Sequence, residues 1–328
     1  MVDVYGTLGP ACTDENILFE MFSLGMTGIR INLSHVMLSD SSGSIEMVKR
    51  AAGRAGKVPK ILIDMQGPEL RIGSIDKPIE LSEREVVTFG EGGIALDKRI
   101  LNALTPYKQV LLDDGKILAE VASANEKSAC LKVTRGGILH GKKSIAIVGT
   151  TVEMPALTEN DRENLKAAAE YGITGVMQPF VRSADDLKEL RETLDSFGGK
   201  EIKILAKIEN LKGVENLESF FDYADEIVIA RGDLGNAVPL WELPRIQKDI
   251  SARCRAHSMP FMVVTQMLSS MEHSKVPTRA EVSDIYNAVL DGAASVMVTG
   301  ETAVGENPVE VIRYLVNTSQ AANEKDFL

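Results

Sequence analysis

The stretch EIKILAKIENLKGVENLESFFDYADEIVIARGD, residues 201–233, contains two short β-branched runs, EIKILAK (201–207) and EIVIAR (226–231). Each run finishes by bringing a basic residue and an acid together, Lys207 with Glu209 and Arg231 with Asp233. Short apolar runs separated by helical intervals of ten or more residues are the pattern of parallel strands joined by crossover helices. From residue 154 onward the pattern repeats at GVMQPF (175–180), FMVVTQ (261–266) and SVMVTG (295–300), with intervals such as TENDRENLKAAAEY and VPTRAEVSDIYNAVLD. Thr158 and Thr278 each have an acid three residues on, Asp161 and Glu281, which marks a helix start. The first 70 residues add VDVYGT (2–7), GIRINLS (28–34) and KILIDMQ (60–66). Three units and five make eight, which predicts an α/β fold of the (β/α)8 TIM-barrel type. A doubly wound open sheet is the competing architecture, but it usually has fewer strands, and no GxGxxG occurs here.

The rhythm breaks between about residues 72 and 153. PIELSEREVVTF, QVLLDDGKILAEVAS and SACLKVTRGG read as short alternating strands without a helix, and DDG and RGG read as hairpin turns. The expected organisation is a barrel from 1–71 and 154–328, with an all-β domain, 72–153, inserted after strand 3. An insert there hangs over the C-terminal mouth of the barrel, placed to act as a lid.

Composition narrows the function classes. An apolar share of 44% suits a large core, and a net charge of −11 argues against nucleic-acid or membrane-surface partners. Cys12, Cys130 and Cys254 have no paired spacing, so they read as reduced, packed thiols. The chain enters VDVYGTLGP with no signal-like segment, and no apolar run reaches the length of a membrane span, so a cytoplasmic protein is expected.

Chemistry in a barrel sits where the strands end. Those positions supply the cations Arg30, Arg71, Arg182, Lys207 and Arg231. They also supply the acids Asp64, Glu69, Glu209, Asp233 and Glu301, with Asn32, Ser34 and Thr265 among them. Barrel rims always carry polar residues, and ordinary surface salt bridges are one account of the set. Its density within apolar runs favours the other, a pocket that binds a divalent cation and an anion at once. Glu209 and Asp233 would hold Mg2+ or Mn2+, Lys207 and Arg30 would grip a phosphate, and the turn RGDLG would present backbone N–H groups to a carboxylate.

The blocks RINLSH, DMQGPELR, MPALTENDRENL, FVRSADDL, KIEN, ARGDLG, TQMLSSM, PTRAEVSD and TGETA follow one another in the order of the signature blocks of pyruvate kinase, and the chain resembles that family from end to end of the barrel. The resemblance implies phosphoryl transfer between phosphoenolpyruvate and ADP, giving pyruvate and ATP, with Mg2+ (or Mn2+) and K+ as cofactors. It implies that Lys207 and Arg30 neutralise the phosphoryl group and that Glu209 and Asp233 bind Mg2+. The Gly232 and Asp233 amides would seat the substrate carboxylate. Asn32, Ser34, Asp64 and the Met65 carbonyl would hold K+, with Glu69 matching the acid of K+-dependent members. Thr265 would position the proton added to the enolate, in a relay with Glu301. Asn32, His35, Arg71, Lys142 and Lys143 would meet the nucleotide. Lys207→Met is expected to abolish transfer and leave the fold intact.

Several positions depart from the family pattern: Gln66 replaces a lysine, Val36 a glycine and Pro179 a serine; SIAIVG (144–149) stands where GVNLPG is usual; and Asp3 lies near a lost basic residue. Most lie on the hinge or nucleotide side. They support a second reading, a divergent enzyme of this fold with another acceptor, and leave a third, a non-catalytic ligand-binding homologue. The sequence stops at Leu328, so the resemblance implies no effector regulation through the family's C-terminal domain, and a homo-oligomer stays open. The remaining histidines, Trp241, the GEGG loop (90–93) and the thirteen methionines are expected to be packing, surface or loop features.

Overall fold

Eight parallel strands close into a barrel in a computed structural model that describes residues 2–34, 36–150, 152 and 154–324. They are β1 (Asp3–Thr7), β2 (Gly28–Asn32), β3 (Lys60–Asp64), β11 (Gly175–Gln178), β12 (Lys203–Ile208), β13 (Glu226–Ala230), β14 (Phe261–Val264) and β15 (Ser295–Met297). The insert supplies β4 (Ile79–Leu81), β5 (Val86–Gly90), β6 (Gln109–Leu112), β7 (Ile117–Ala124), β8 (Ser128–Arg135), β9 (Gly137–Leu139) and β10 (Ile145–Ile147). Each barrel strand lies beside the next in chain order, and β15 closes on β1 through Asp3↔Ser295, Val4↔Val296 and Tyr5↔Met297. All eight strands expected from the sequence are present.

Strand pleating sorts the core into layers. Tyr5, Leu62, Met177, Leu205, Val228, Met262 and Met297 fill the barrel interior. Their neighbours Ile61, Ile63, Ile204 and Ala206 point outward and join a larger cluster beneath the helices. The helices are α1 (Glu15–Leu24), α2 (Ser42–Arg54), α3 (Lys98–Ala103), α4 (Glu159–Ala168), α5 (Ala184–Ser196), α6 (Leu211–Glu215), α7 (Arg231–Ala237), α8 (Leu243–Ala256), α9 (Arg279–Leu290), α10 (Gly300–Ala303) and α11 (Pro308–Asn323). Capping boxes start α4 at Thr158–Asp161 and α9 at Thr278–Glu281, as the sequence predicts, and α5 has a third at Ser183–Asp186. No helix among the described residues is long and apolar enough to cross a membrane. The three cysteines are free; burial pushes the Cys12 thiol up to about 11 and Cys254 up to about 12.

The insert has a core of its own, running from Ile72 to Ile147 through Phe89, Val110, Ile117 and Leu131. Its main sheet has the order β10-β6-β7-β8-β5, and β4 pairs with β9 in a second. The turn DDG joins β6 to β7 with Asp113, Asp114 and Gly115 all at positive φ (48°, 55° and 79°), a hairpin as expected. Two expectations are corrected. The RGG stretch is a crossing: β8 ends at Arg135 and β9, starting at Gly137, belongs to the other sheet. A helix is also present, α3, too short to show a period but started by Asp97, whose side chain accepts from the Arg99 amide at 2.8 Å. The chain leaves and re-enters the barrel as a zipped pair. The Ile72 amide donates to the Lys143 carbonyl and the Ile145 amide to the Leu70 carbonyl, each at 2.9 Å.

Candidate active site

The alternation that buries Leu62 and Leu205 inside the barrel also places Asp64 and Lys207, two residues further along, on the same side at the C-terminal mouth. There Asp64 becomes the centre of a charge network. Arg30 grips its Oδ2 from Nε at 2.9 Å and Nη2 at 2.7 Å, and Lys207 Nζ reaches its two oxygens at 3.1 and 3.2 Å. Lys207 also pairs with Glu209 at 2.9 Å, and Arg30 Nη1 donates to Thr7 Oγ1 at 3.2 Å. Burial works to raise the Asp64 carboxyl, but Lys207 and then Arg30 outweigh it and hold it below the usual carboxylate range. Burial likewise opposes the Lys207 ammonium, and Asp64 followed by Glu209 overcomes that and holds it above the usual range.

Glu209 and Asp233 behave in the opposite way. Burial drives both carboxyls upward, and each is raised further by acidic neighbours, Asp233 and Asp64 for Glu209, Glu69 and Asp114 for Asp233; Lys207 opposes only part of this. The floor therefore holds three carboxyl groups facing two cationic side chains, so that full ionisation of all three would leave one negative charge uncompensated. Such acids gain most from a divalent cation. Among the described residues no three His, Cys, Asp or Glu side chains gather as a ready metal cage. A two-carboxylate site with hard oxygens still fits Mg2+, which commonly completes its shell with water and substrate oxygens.

The local backbone is bent to make this site. Phe180 sits at φ 54° and its amide donates to Glu209 Oε2 at 2.8 Å. Thr265 and Gln266, just past β14, both have positive φ, 80° and 54°. For a β-branched residue that conformation is uncommon, and each such residue costs about 1–3 kcal/mol unless its surroundings hold it. Gly67 (φ 60°) lies where a Cβ would come within 2.3 Å of Pro179 Cγ, so the departure at Pro179 is packed against an obligatory glycine. Gly232 is similarly close to Thr265, whose Cγ2 would be 3.2 Å from an added Cβ.

A cavity of about 880 Å³ opens between mouth and insert. From the first strands Arg30, Asn32, Ser34, Asp64, Met65 and Arg71 line it, and from the later ones Lys207, Glu209, Gly232, Asp233 and Thr265. A second cavity, about 430 Å³, shares Glu69, Asp114, Glu209 and Asp233 with it and reaches Ile145 and Met154. Asn32 Oδ1 accepts from the Ser34 amide at 3.1 Å. A carboxylate offers about four acceptor directions, two on each oxygen; three of the four contacts to Asp64 fall on Oδ2 and one on Oδ1, so Oδ1 keeps a direction for a further cation.

Other candidates lie elsewhere. Glu301 is buried off the cavity wall, its oxygens accepting from the Leu268 amide at 3.1 Å and the Thr299 amide at 2.6 Å. Lys143 is turned to Asp113 of the insert at 2.9 Å, Lys142 stands at the hinge with φ 61°, and neither lines either cavity. Arg71 pairs with Glu69 and donates to the Lys142 carbonyl at 2.8 Å, tying mouth to hinge. His35 lies outside the described residues. Arg182 is buried against the start of α5, donating to the Met154 carbonyl at 2.6 Å. Arg135 and Asp114 of the insert do face the cavity. Their motifs, RGG and DDG, carry only turn signals, so sequence reasoning passed over them. Trp241, expected as a packing or interface residue, is 80% exposed on the cavity rim beside Leu240, which rules out packing.

Comparison with known proteins gives this arrangement a family. Residues 1–312 match the family model described as pyruvate kinase, barrel domain. The chain is 36% identical over 98% of its length to the pyruvate kinase of Geobacillus stearothermophilus, and 36% identical over 99% to that of Aeropyrum pernix. It spans 57% of the length of the first and 71% of the second. A strand-end lysine between two acids, the ARGDLG turn and a lidded barrel over the matched length have one common explanation: this chain belongs to the pyruvate kinase family.

Proposed function

We propose that this protein is a phosphotransferase that moves the phosphoryl group between phosphoenolpyruvate and ADP, giving pyruvate and ATP. The observation that carries the reading is Lys207, buried at the mouth between Asp64 and Glu209 with Arg30 on the far side of Asp64. In the forward direction the bond from phosphorus to the enol oxygen breaks and one to the terminal ADP oxygen forms. Lys207 and Arg30 face the charge on the moving group, in a cleft where few solvent dipoles screen it. The backbone N–H groups of Gly232 and Asp233 seat the substrate carboxylate. Glu209 and Asp233 would hold Mg2+, which would supply positive charge to offset that of the anionic substrate. Asn32, Ser34, Asp64 and the Met65 carbonyl would hold K+. The enolate carbon left behind takes up a proton positioned by Thr265. Asn32 and Arg71, which line the cavity, would meet the nucleotide together with His35, and Lys142 and Lys143 would reach it by movement of the insert. Small-molecule substrates and a cytoplasmic location go with this reading.

The divergent-acceptor reading is favoured by one observation, that Lys142 and Lys143 stand away from the cavity beside an altered hinge sequence. A coupled assay separates the two. Pyruvate should form from phosphoenolpyruvate only when ADP, Mg2+ and K+ are all present. Phosphoenolpyruvate consumption that ignores ADP but responds to another acceptor would replace the first reading with the second.

A further inference from the structure

Arg231 is the one basic residue of the ARGDLG block, yet its side chain turns away from the Asp64 network onto the loop after β14. It is 10% exposed and forks onto the Thr265 carbonyl, Nη2 at 2.6 Å and Nε at 3.1 Å. Nη2 also contacts Met267 Sδ at 3.0 Å. From behind, Nη1 is held by Asp284 of α9 at 2.6 Å. The carbonyl in its grip belongs to a residue in the left-handed region, followed by a second one in that region, Gln266. The side chain of the same threonine rests against Gly232, the residue after Arg231. Beyond it, the Leu268 amide is tethered to Glu301.

We propose that Arg231, backed by Asp284, is a positioning residue for the proposed reaction, holding Thr265 in its left-handed conformation so that its hydroxyl meets the enolate carbon. The inference rests on the phosphotransferase reading, which gives Thr265 its role. A planar fork bonding one carbonyl from two nitrogens fixes its direction in a way a single ammonium does not. Released from the fork, Thr265 relaxes toward ordinary backbone angles and its hydroxyl moves.

The test compares wild type with Arg231→Lys and Asp284→Asn under phosphoenolpyruvate, ADP, Mg2+ and K+. Two further readouts are deuterium uptake from D2O into the pyruvate methyl group and Mn2+ affinity by electron paramagnetic resonance. For Arg231→Lys, kcat should fall about 100-fold with KM for phosphoenolpyruvate within about twofold, the size of effect expected from a displacement near 1 Å. Deuterium uptake should fall in parallel and Mn2+ affinity should hold. Asp284→Asn keeps an acceptor for Arg231 and should show the same split, about tenfold in kcat. If circular dichroism finds Arg231→Lys unfolded, Asp284→Asn carries the test, since its site on α9 is far more exposed. Wild-type kcat in the variants overturns the proposal. So does a fall in Mn2+ affinity matching the fall in kcat, which would assign Arg231 to the Gly232–Asp233 turn. A wild type with no turnover sinks the phosphotransferase reading first; active wild type with unaffected variants sinks this inference alone.

Discussion

Lys207 illustrates what a strand-end charge does when both neighbours are acids. Sequence reasoning treats it as a removable point charge, so Lys207→Met should spare the fold. Its side chain is only 13% exposed and answers both Asp64 and Glu209, so that expectation is revised. Removing one partner of a buried network leaves the others uncompensated and costs about 3–5 kcal/mol. Lys207→Met is therefore expected to lower kcat by about 10²–10³-fold, the usual loss for one electrostatic stabiliser, and to lower the denaturation midpoint as well. Steady-state kinetics with urea unfolding checks both. A variant with wild-type stability would mean that Arg30 alone neutralises Asp64. At this scale the sequence named residues that the fold does bring together at the mouth. The pairing was hidden because Lys207 meets Asp64 across 143 positions, through the barrel's closure.

Among the elements, β13 carries a half-buried acid that no motif flags. Glu226 begins the strand at the N-terminal end of the barrel, where Ser295 Oγ donates to Oε1. Burial, with Asp3 adding and Lys203 and Lys60 opposing, pushes its carboxyl up to about 7, and the same acid helps raise the buried Tyr5 hydroxyl. Because the folded carboxyl keeps its proton to a higher pH than the unfolded one, the folded state binds more protons between the two values. Stability from this group is thus fully present below the unfolded carboxylate range, falls as pH rises toward about 7, and levels off above it. Glu226→Gln should flatten that decline and be more stable than wild type at pH 8, by at most about 3 kcal/mol. Chemical denaturation at several pH values measures it; parallel pH curves for the two proteins would refute the assignment. Strand and helix positions themselves were legible because each has its own period or cap. The short α3 was not: one and a half turns contain too few residues to show a period.

For the whole molecule, the insert and the barrel mouth face one another across the cavity. Leu240 and Trp241 on the barrel rim are 71% and 80% exposed, and Gln109, Leu111 and Val148 of the insert line the same space. Trp241 is the only tryptophan in the chain, so its fluorescence reports this rim alone. If the insert closes when Mg2+ and an enolate mimic such as oxalate fill the floor, Trp241 loses water contact and its emission shifts to shorter wavelength. Titration with oxalate should give that shift with Mg2+ and none without it. An unshifted spectrum at saturating oxalate would show that this rim stays open when the floor is filled.

The barrel, its insert and most of the residues gathered at the floor were legible in the sequence alone, because strand alternation and helix period are local and recur around the barrel, with caps marking some of the helix starts. Only the tertiary structure decided which charges meet. It set Asp64 between Arg30 and Lys207, turned Arg231 and Glu301 to the loop after β14, and drew Lys143 to Asp113. Those pairings depend on distance and burial between residues far apart in the chain, and in a low-dielectric mouth each charge is governed by whichever partner the fold brings within a few ångströms.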